Sequence, residues 1–260
     1  MPVSPEIADW PRPYFEAGGG SSFHFYVLFG QCAQPIEISA SRYRCTAVPE
    51  DLDLMTYDAA TYPDVIADFR SGYLWDQLGR MNPELAAIVE AQEHCVVLRG
   101  ELPDRETLND FRNIVGLIAW MLESGCVALY DPQMFKWWSP DEWRKTAFEP
   151  AAPRPHSHVV ILDSDDAADD HAQWLHTRGM RRFGRPDLSM RGVTKDEAPA
   201  VVEMFNRFIE MQALGAVVRD GRRLSMKGLP GEFYCQCGGD FDDPDFNNRH
   251  IEIVRDSCGE

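Results

Sequence analysis

The chain has 260 residues, of which 44% are hydrophobic and 26% charged. That is the make-up of an ordered globular protein of one large or two small domains, and it excludes disorder as the default state. Acidic residues outnumber basic ones 42 to 25, for a net charge of −17. Such a surface repels nucleic acid and anionic membranes and favours a basic protein partner.

Residues 1–20 read as a Pro/Gly-rich leader. It opens "MPVSPEIADW", without the basic region and apolar core of a secretion signal. No run has the length of a membrane span. The seven cysteines are odd in number and scattered. Cys95 and Cys126 each open an apolar run where a reduced, buried thiol fits. A reducing cytoplasm is the expected home.

In chain order, Phe23 to Phe29 (FHFYVLF) predicts the first strand. IEISASRYRCTAV predicts a second strand region. Residues 50–92 read as helical pieces, because PDVIADFRSGYLWDQL and NPELAAIVEAQE carry apolar residues at three-to-four spacing. His94 to Leu98 is a buried-strand pattern. Asp104 then caps a helix whose Leu108, Phe111, Ile114, Val115, Ile118, Met121 and Leu122 share one face. Gly125 supplies its left-handed end, and CVALY is the next strand. In SPDEW, Ser139 caps a helix, Pro140 takes its first position and Glu142 can reach back. EPAAPRPHS, residues 149–157, is the best internal linker. The strands on either side can still join one sheet, so a single domain over 1–260 is expected.

The second half repeats the theme. HVVIL (His158 to Leu162) is a strand, DSDDAADDHAQWL a capped helix and LSMRGV a strand. Thr194 and Glu197 form a capping box. The helix behind it buries Val201, Met204, Phe205, Phe208, Ile209 and Met211. Asp220-Gly221 is a hairpin turn, and EFYCQC and IEIV close the chain. The expected fold class is α+β: one mixed, mostly antiparallel sheet with helices packed against it, and strand–helix–strand units in both halves.

The densest polar stretch is HTRGMRRFGRPDL, His176 to Leu188. Arg178, Arg182 and Arg185 offer guanidinium forks that match phosphate or carboxylate oxygens, and His176 can act as acid or base near neutral pH. A plainer reading also explains every residue type. A helix holding Trp174 and Leu175 ends near Gly179 or Gly184, its arginines favour the negative end of the dipole, and Pro186 forbids continuation. FKWWSPDEW holds Trp137, Trp138 and Trp143. Exposed, they are a partner-binding hot spot; buried, they staple a core corner.

Three further clusters read as turn or strand chemistry rather than metal sites. Asp163 to Asp170 lacks the glycine and distal glutamate of a calcium loop. GGDFDDPDFNN is rich in turn formers. Cys235, Cys237, His250 and Cys258 lie too far apart in sequence for the usual zinc spacing. No metal or cofactor is expected.

Val127 to Asp131, His176 to Gly179 and Pro186-Asp187, within residues 94–226, resemble an uncharacterised bacterial domain family with a His-Thr-x-Gly turn. DDPDFNN (Asp242 to Asn248) is similar to a second uncharacterised bacterial group. The resemblance implies an accessory role near toxin–immunity systems and carries no catalytic mechanism.

No phosphate-binding loop, nucleophile elbow, metalloprotease helix or dinucleotide fingerprint is present. The leading expectation is a non-catalytic, acidic, cytoplasmic binding protein, in its sharp form an immunity protein that neutralises a basic toxin. The alternative is an enzyme or sensor that takes an anionic small molecule at His176–Asp187.

Overall fold

The computed structural model describes residues 7–33, 37–166, 172–226 and 228–256. The fold is α+β, built on two mostly antiparallel sheets where the sequence predicts one. Two compact units form, Met1–Pro11 with Phe23–Arg154 and Arg12–Ser22 with Pro155–Glu260. The changeover between residues 154 and 155 falls inside the Pro-rich stretch 149–157.

The first unit runs β1 (Ser22–Gly30), α1 (Ala40–Tyr43), β2 (Leu52–Asp58), α2 (Pro63–Phe69), α3 (Gly72–Met81), α4 (Pro83–Glu90), β3 (His94–Leu102), α5 (Asn109–Glu123), β4 (Cys126–Asp131), β5 (Lys136–Trp138) and α6 (Pro140–Trp143). Its five-stranded sheet has the order β2-β3-β1-β4-β5. Successive strand residues point to opposite faces, and here both faces are covered. Val27 and Phe29 pack with Ile66, Leu78, Leu85 and Val89 of α2, α3 and α4. His24 stacks on Phe111 of α5, and Tyr26 meets Trp143 of α6 edge-on. Coverage on both sides is why β1 ends in an unbroken buried run.

Of the local signals, the Ser139 cap and the Gly125 stop form as predicted. Ser139 Oγ accepts from Glu142 N at 3.2 Å and Pro140 opens α6, although Glu142 turns to Lys136 instead of reaching back. Gly125 follows α5 with a φ of +135°. Asp104 does not cap α5, which begins at Asn109 with no side-chain cap. Two elements differ outright. The expected strand over IEISASRYRCTAV is replaced by α1, where Ser39 Oγ accepts from Arg42 N. Tyr43 O then lies against Gly116 of α5, 2.0 Å from where a Cβ would sit, so only glycine admits the contact. Residues 52–58 form a strand instead of helix, because they pair with β3 over their whole length, from Leu52↔Gly100 to Asp58↔His94.

The second unit contains β6 (Val160–Asp165), β7 (Gln173–Arg178), β8 (Asp187–Val193), α7 (Ala198–Ala213), β9 (Arg223–Met226), β10 (Leu229–Gly238) and β11 (His250–Arg255). The sheet order is β6-β7-β8-β11-β10-β9. Only the β8–β11 pair is parallel among the described pairings of this sheet. Of the expected capping box only one half forms: Glu197 Oε2 accepts from Thr194 N, but Thr194 Oγ1 also donates to Glu197 Oε2 while Glu197 N goes to Thr194 O, and α7 itself begins at Ala198. Asp220-Gly221 does not close a hairpin with residues 216–218; β9 pairs with β10 instead. Asp169 and Asp170 of the acidic stretch, and Cys258, lie outside the described residues.

Candidate partner-binding surface

The His176–Leu188 stretch is neither a helix exit nor an open anion site. His176, Thr177 and Arg178 are the end of β7, a central strand paired with β6 and β8. A single 3-10 turn, Met180–Phe183, then leads through Gly184 to β8. Trp174 and Leu175 are therefore strand residues.

The polar groups of this stretch form a buried knot around Asp187. That carboxylate accepts from Thr177 Oγ1 at 2.9 Å, Met180 N at 3.2 Å and Asn248 Nδ2 at 2.8 Å. Thr177 Oγ1 accepts in turn from Leu188 N at 2.8 Å. Burial pushes the Asp187 carboxyl up to about 6 against the pull of its hydrogen bonds.

The candidate anion-binding arginines are engaged inside the unit. Arg185 donates to Ala216 O, Gly184 O and Gly215 O. Arg182 donates from Nε to Gly179 O, and Arg178 donates to Asp245 O. All three are buried. Their donors are thus directed to main-chain carbonyls of the same unit. His176 stacks on Trp174 with ring centroids 3.9 Å apart and meets Phe246 edge-on. Burial holds its imidazole pKa below the ordinary range, so the neutral form is favoured. The sequence stretch thus marks a structural knot, and no guanidinium of Arg178, Arg182 or Arg185 lies on an open surface.

The tryptophan corner is also withdrawn from any partner. Trp137, Trp138 and Trp143 are buried. Trp137 and Trp138 are successive on β5, so they enter opposite faces of the sheet. Trp137 packs with Phe29, Trp75 and Tyr130 at 5.6, 5.6 and 4.6 Å. Trp138 meets Trp143 at 5.5 Å and 90°. Among the described residues no group of His, Cys, Asp and Glu is arranged to hold a metal ion. The GGDFDDPDFNN loop uses its aspartates for turns: Asp240 and Asp243 accept from the backbone of Asp242 and Asp245.

What remains open is the outer side of α2, α3 and α4. Residues 50–93 hold ten carboxylates and two arginines. One of these, Arg70, turns inward over the Phe29 ring and donates to Glu90 O and Gln92 O. Asp64, Asp68, Asp76, Glu84, Glu90 and Glu93 stay exposed. Among them stand four of the seven exposed large apolar side chains described: Tyr62, Tyr73, Met81 and Ile88, with Tyr73 70% and Met81 79% accessible. On α3, Tyr73, Asp76 and Arg80 recur at three-to-four spacing, as do Glu84, Ala87 and Ile88 along α4, with Ala91 at its C-cap. The charge excess was readable in the sequence. The apolar exposure was not, because the same helices bury Ile66, Leu78, Leu85 and Val89 inward.

Comparison with family models, with curated proteins and with solved structures returned no match. No helix among the described residues is long and apolar enough to cross a membrane.

Proposed function

We propose that the chain is a non-catalytic binding protein whose α2–α4 side receives a protein partner with a basic surface. The observation that carries this reading is the joint exposure of Asp64, Asp68, Asp76, Glu84, Glu90 and Glu93, against one exposed arginine, Arg80, and of Tyr62, Tyr73, Met81 and Ile88 on one segment. A field of one sign speeds encounter with an oppositely charged surface. Tyrosine and methionine supply the desolvated anchors that hold a complex once formed. The absence of motif-based catalytic machinery and the engagement of His176 and its arginines favour binding over chemistry. In its sharp form the partner is a basic toxin and the chain its immunity protein, as the family resemblance implies.

The test is affinity capture from lysate of the source organism at low and raised salt, with Tyr73→Ala and Met81→Ala run beside wild type. Both side chains are exposed, so neither change threatens the fold. One basic protein, retained in stoichiometric amount by wild type and lost with salt and with either substitution, is the expected result. Equal capture by wild type and both variants, or an empty capture from folded protein, overturns the reading.

A further inference from the structure

The second unit carries a cleft of about 250 Å³ where β10 turns toward β11. Five of its twelve lining residues are glycines: Gly18, Gly19, Gly184, Gly238 and Gly239. A Cβ on Gly239, whose φ is +70°, would lie 2.6 Å from His250 Nδ1 and 3.0 Å from Asp243 Oδ2. A Cβ on Gly184 would meet Gly20 O at 1.9 Å, so at these two positions the wall is main chain by necessity. Main-chain walls present peptide N–H dipoles, the material of anion-binding concavities.

Arg249, His250 and Cys237 complete the polar lining. Arg249 is exposed and its guanidinium forms no hydrogen bond or ion pair among the described residues, lying 6.0 Å from the Phe241 ring; its main-chain O accepts from Asp187 N. In a chain of 42 carboxylates, an arginine at a cleft without one has its donors available. Arg185, at the same cleft, donates to the carbonyls of Ala216, Gly184 and Gly215. His250 is fixed by stacking on Phe246 at 4.5 Å, with Nδ1 3.5 Å from Asp243 Oδ2 but making no hydrogen bond. The nearby carboxylates are occupied. Asp220 accepts from Cys237 N at 2.8 Å, and Asp243 Oδ1 accepts from Asp245 N and Phe246 N.

We propose that this cleft binds a small molecule bearing an oxyanion, a phosphate or a carboxylate, with the Arg249 guanidinium as its anchor. Guanidinium forks match both groups in geometry. Glycine main chain and the fixed His250 ring border the anion, while Val217, Val218 and Pro186 offer apolar contact to a short carbon skeleton. The volume lies below the range of roughly 300–1,000 Å³ that holds drug-sized ligands, which favours a compact metabolite over a nucleotide. This site is independent of the α2–α4 surface.

Cys237 is the reporter, being the only exposed cysteine among the described residues. In a Cys258→Ser background, the rate of iodoacetamide alkylation at Cys237 is measured by mass spectrometry. Inorganic phosphate and succinate are titrated separately at constant ionic strength. Amide chemical shifts of Gly18 and Gly239 are followed in parallel. The expected result is a saturable response to one or both anions. Alkylation slows about tenfold at ten times Kd, and both readouts are lost in Arg249→Gln. Response to phosphate alone assigns a phosphate ligand; response to succinate alone assigns a carboxylate. No response in either readout, or an equal response in Arg249→Gln, overturns the proposal.

Discussion

Replacing Asp187 by Ala removes the acceptor at the centre of the buried knot and strands three donors: Thr177 Oγ1, Met180 N and Asn248 Nδ2. Each stranded donor costs about 1–3 kcal/mol in a site closed to water, so a loss of about 4 kcal/mol is expected at pH 4. The loss depends on pH in a direction the structure sets. Burial raises the folded carboxyl to about 6 from its ordinary value of 3.8. Its contribution to wild-type stability is complete below the lower value and is lost as pH rises through the upper one. The decline amounts to about 3 kcal/mol, because each tenfold change in proton affinity is worth about 1.36 kcal/mol. Wild type and variant should therefore lie about 4 kcal/mol apart at pH 4 and only about 1 kcal/mol apart at pH 8. Hydrogen exchange of the β7 and β8 amides, corrected for the intrinsic pH dependence, reads the local opening energy in both proteins. A gap below about 1 kcal/mol at pH 4, or a gap that widens toward pH 8, refutes the reasoning. The first of these outcomes would return the stretch to the pool of ligand sites.

Gly184 holds a φ of +64°, and a Cβ there would meet Gly20 O at 1.9 Å. Gly184→Ala should destabilise the second unit by more than about 2 kcal/mol, read as a lower urea midpoint for exchange of the β7–β8 amides. Trp138→Ala empties a fully buried site between α6 and the sheet and should cost about 3–5 kcal/mol, seen as a lowered melting temperature of the first unit. A partner-binding role for Trp138 would instead require loss of capture with an unchanged melting temperature. Burial pushes the Cys126 thiol up to about 12 and Cys95 up to about 11, so neither forms appreciable thiolate at pH 8. Native-state alkylation at pH 8 should therefore leave both unmodified while Cys237 reacts; rapid labelling of either would show that its strand opens.

The elements legible in the sequence are those whose signals close locally. Ser139 caps α6 three residues away, Thr194 and Glu197 satisfy each other across the same distance, and Asn82 accepts from Leu85 N ahead of Pro83 in α4. The aromatic run of β1 and the apolar stripe of α5 announce themselves because they are long and must be buried somewhere. The acidic excess of residues 50–93 is a matter of composition alone.

Tertiary structure decided the rest. QWLHTR is too short for its period to separate strand from helix, and only pairing with β6 and β8 makes it a central strand. Strand β2 exists because β3, much further along the chain, supplies its ladder. Four arginines between His176 and Leu188 look like an anion site in one dimension. Three of them instead meet carbonyls: those of Gly179 and Gly184 lie within three residues, but those of Gly215, Ala216 and Asp245 become neighbours only after the sheet has formed. Trp137 and Trp138 are adjacent in the chain and serve two different cores, since the strand pleat sends them apart. Charge and capping are properties of residues and their near neighbours and so survive in the sequence. Burial and the engagement of a polar group depend on partners that the fold alone brings within reach.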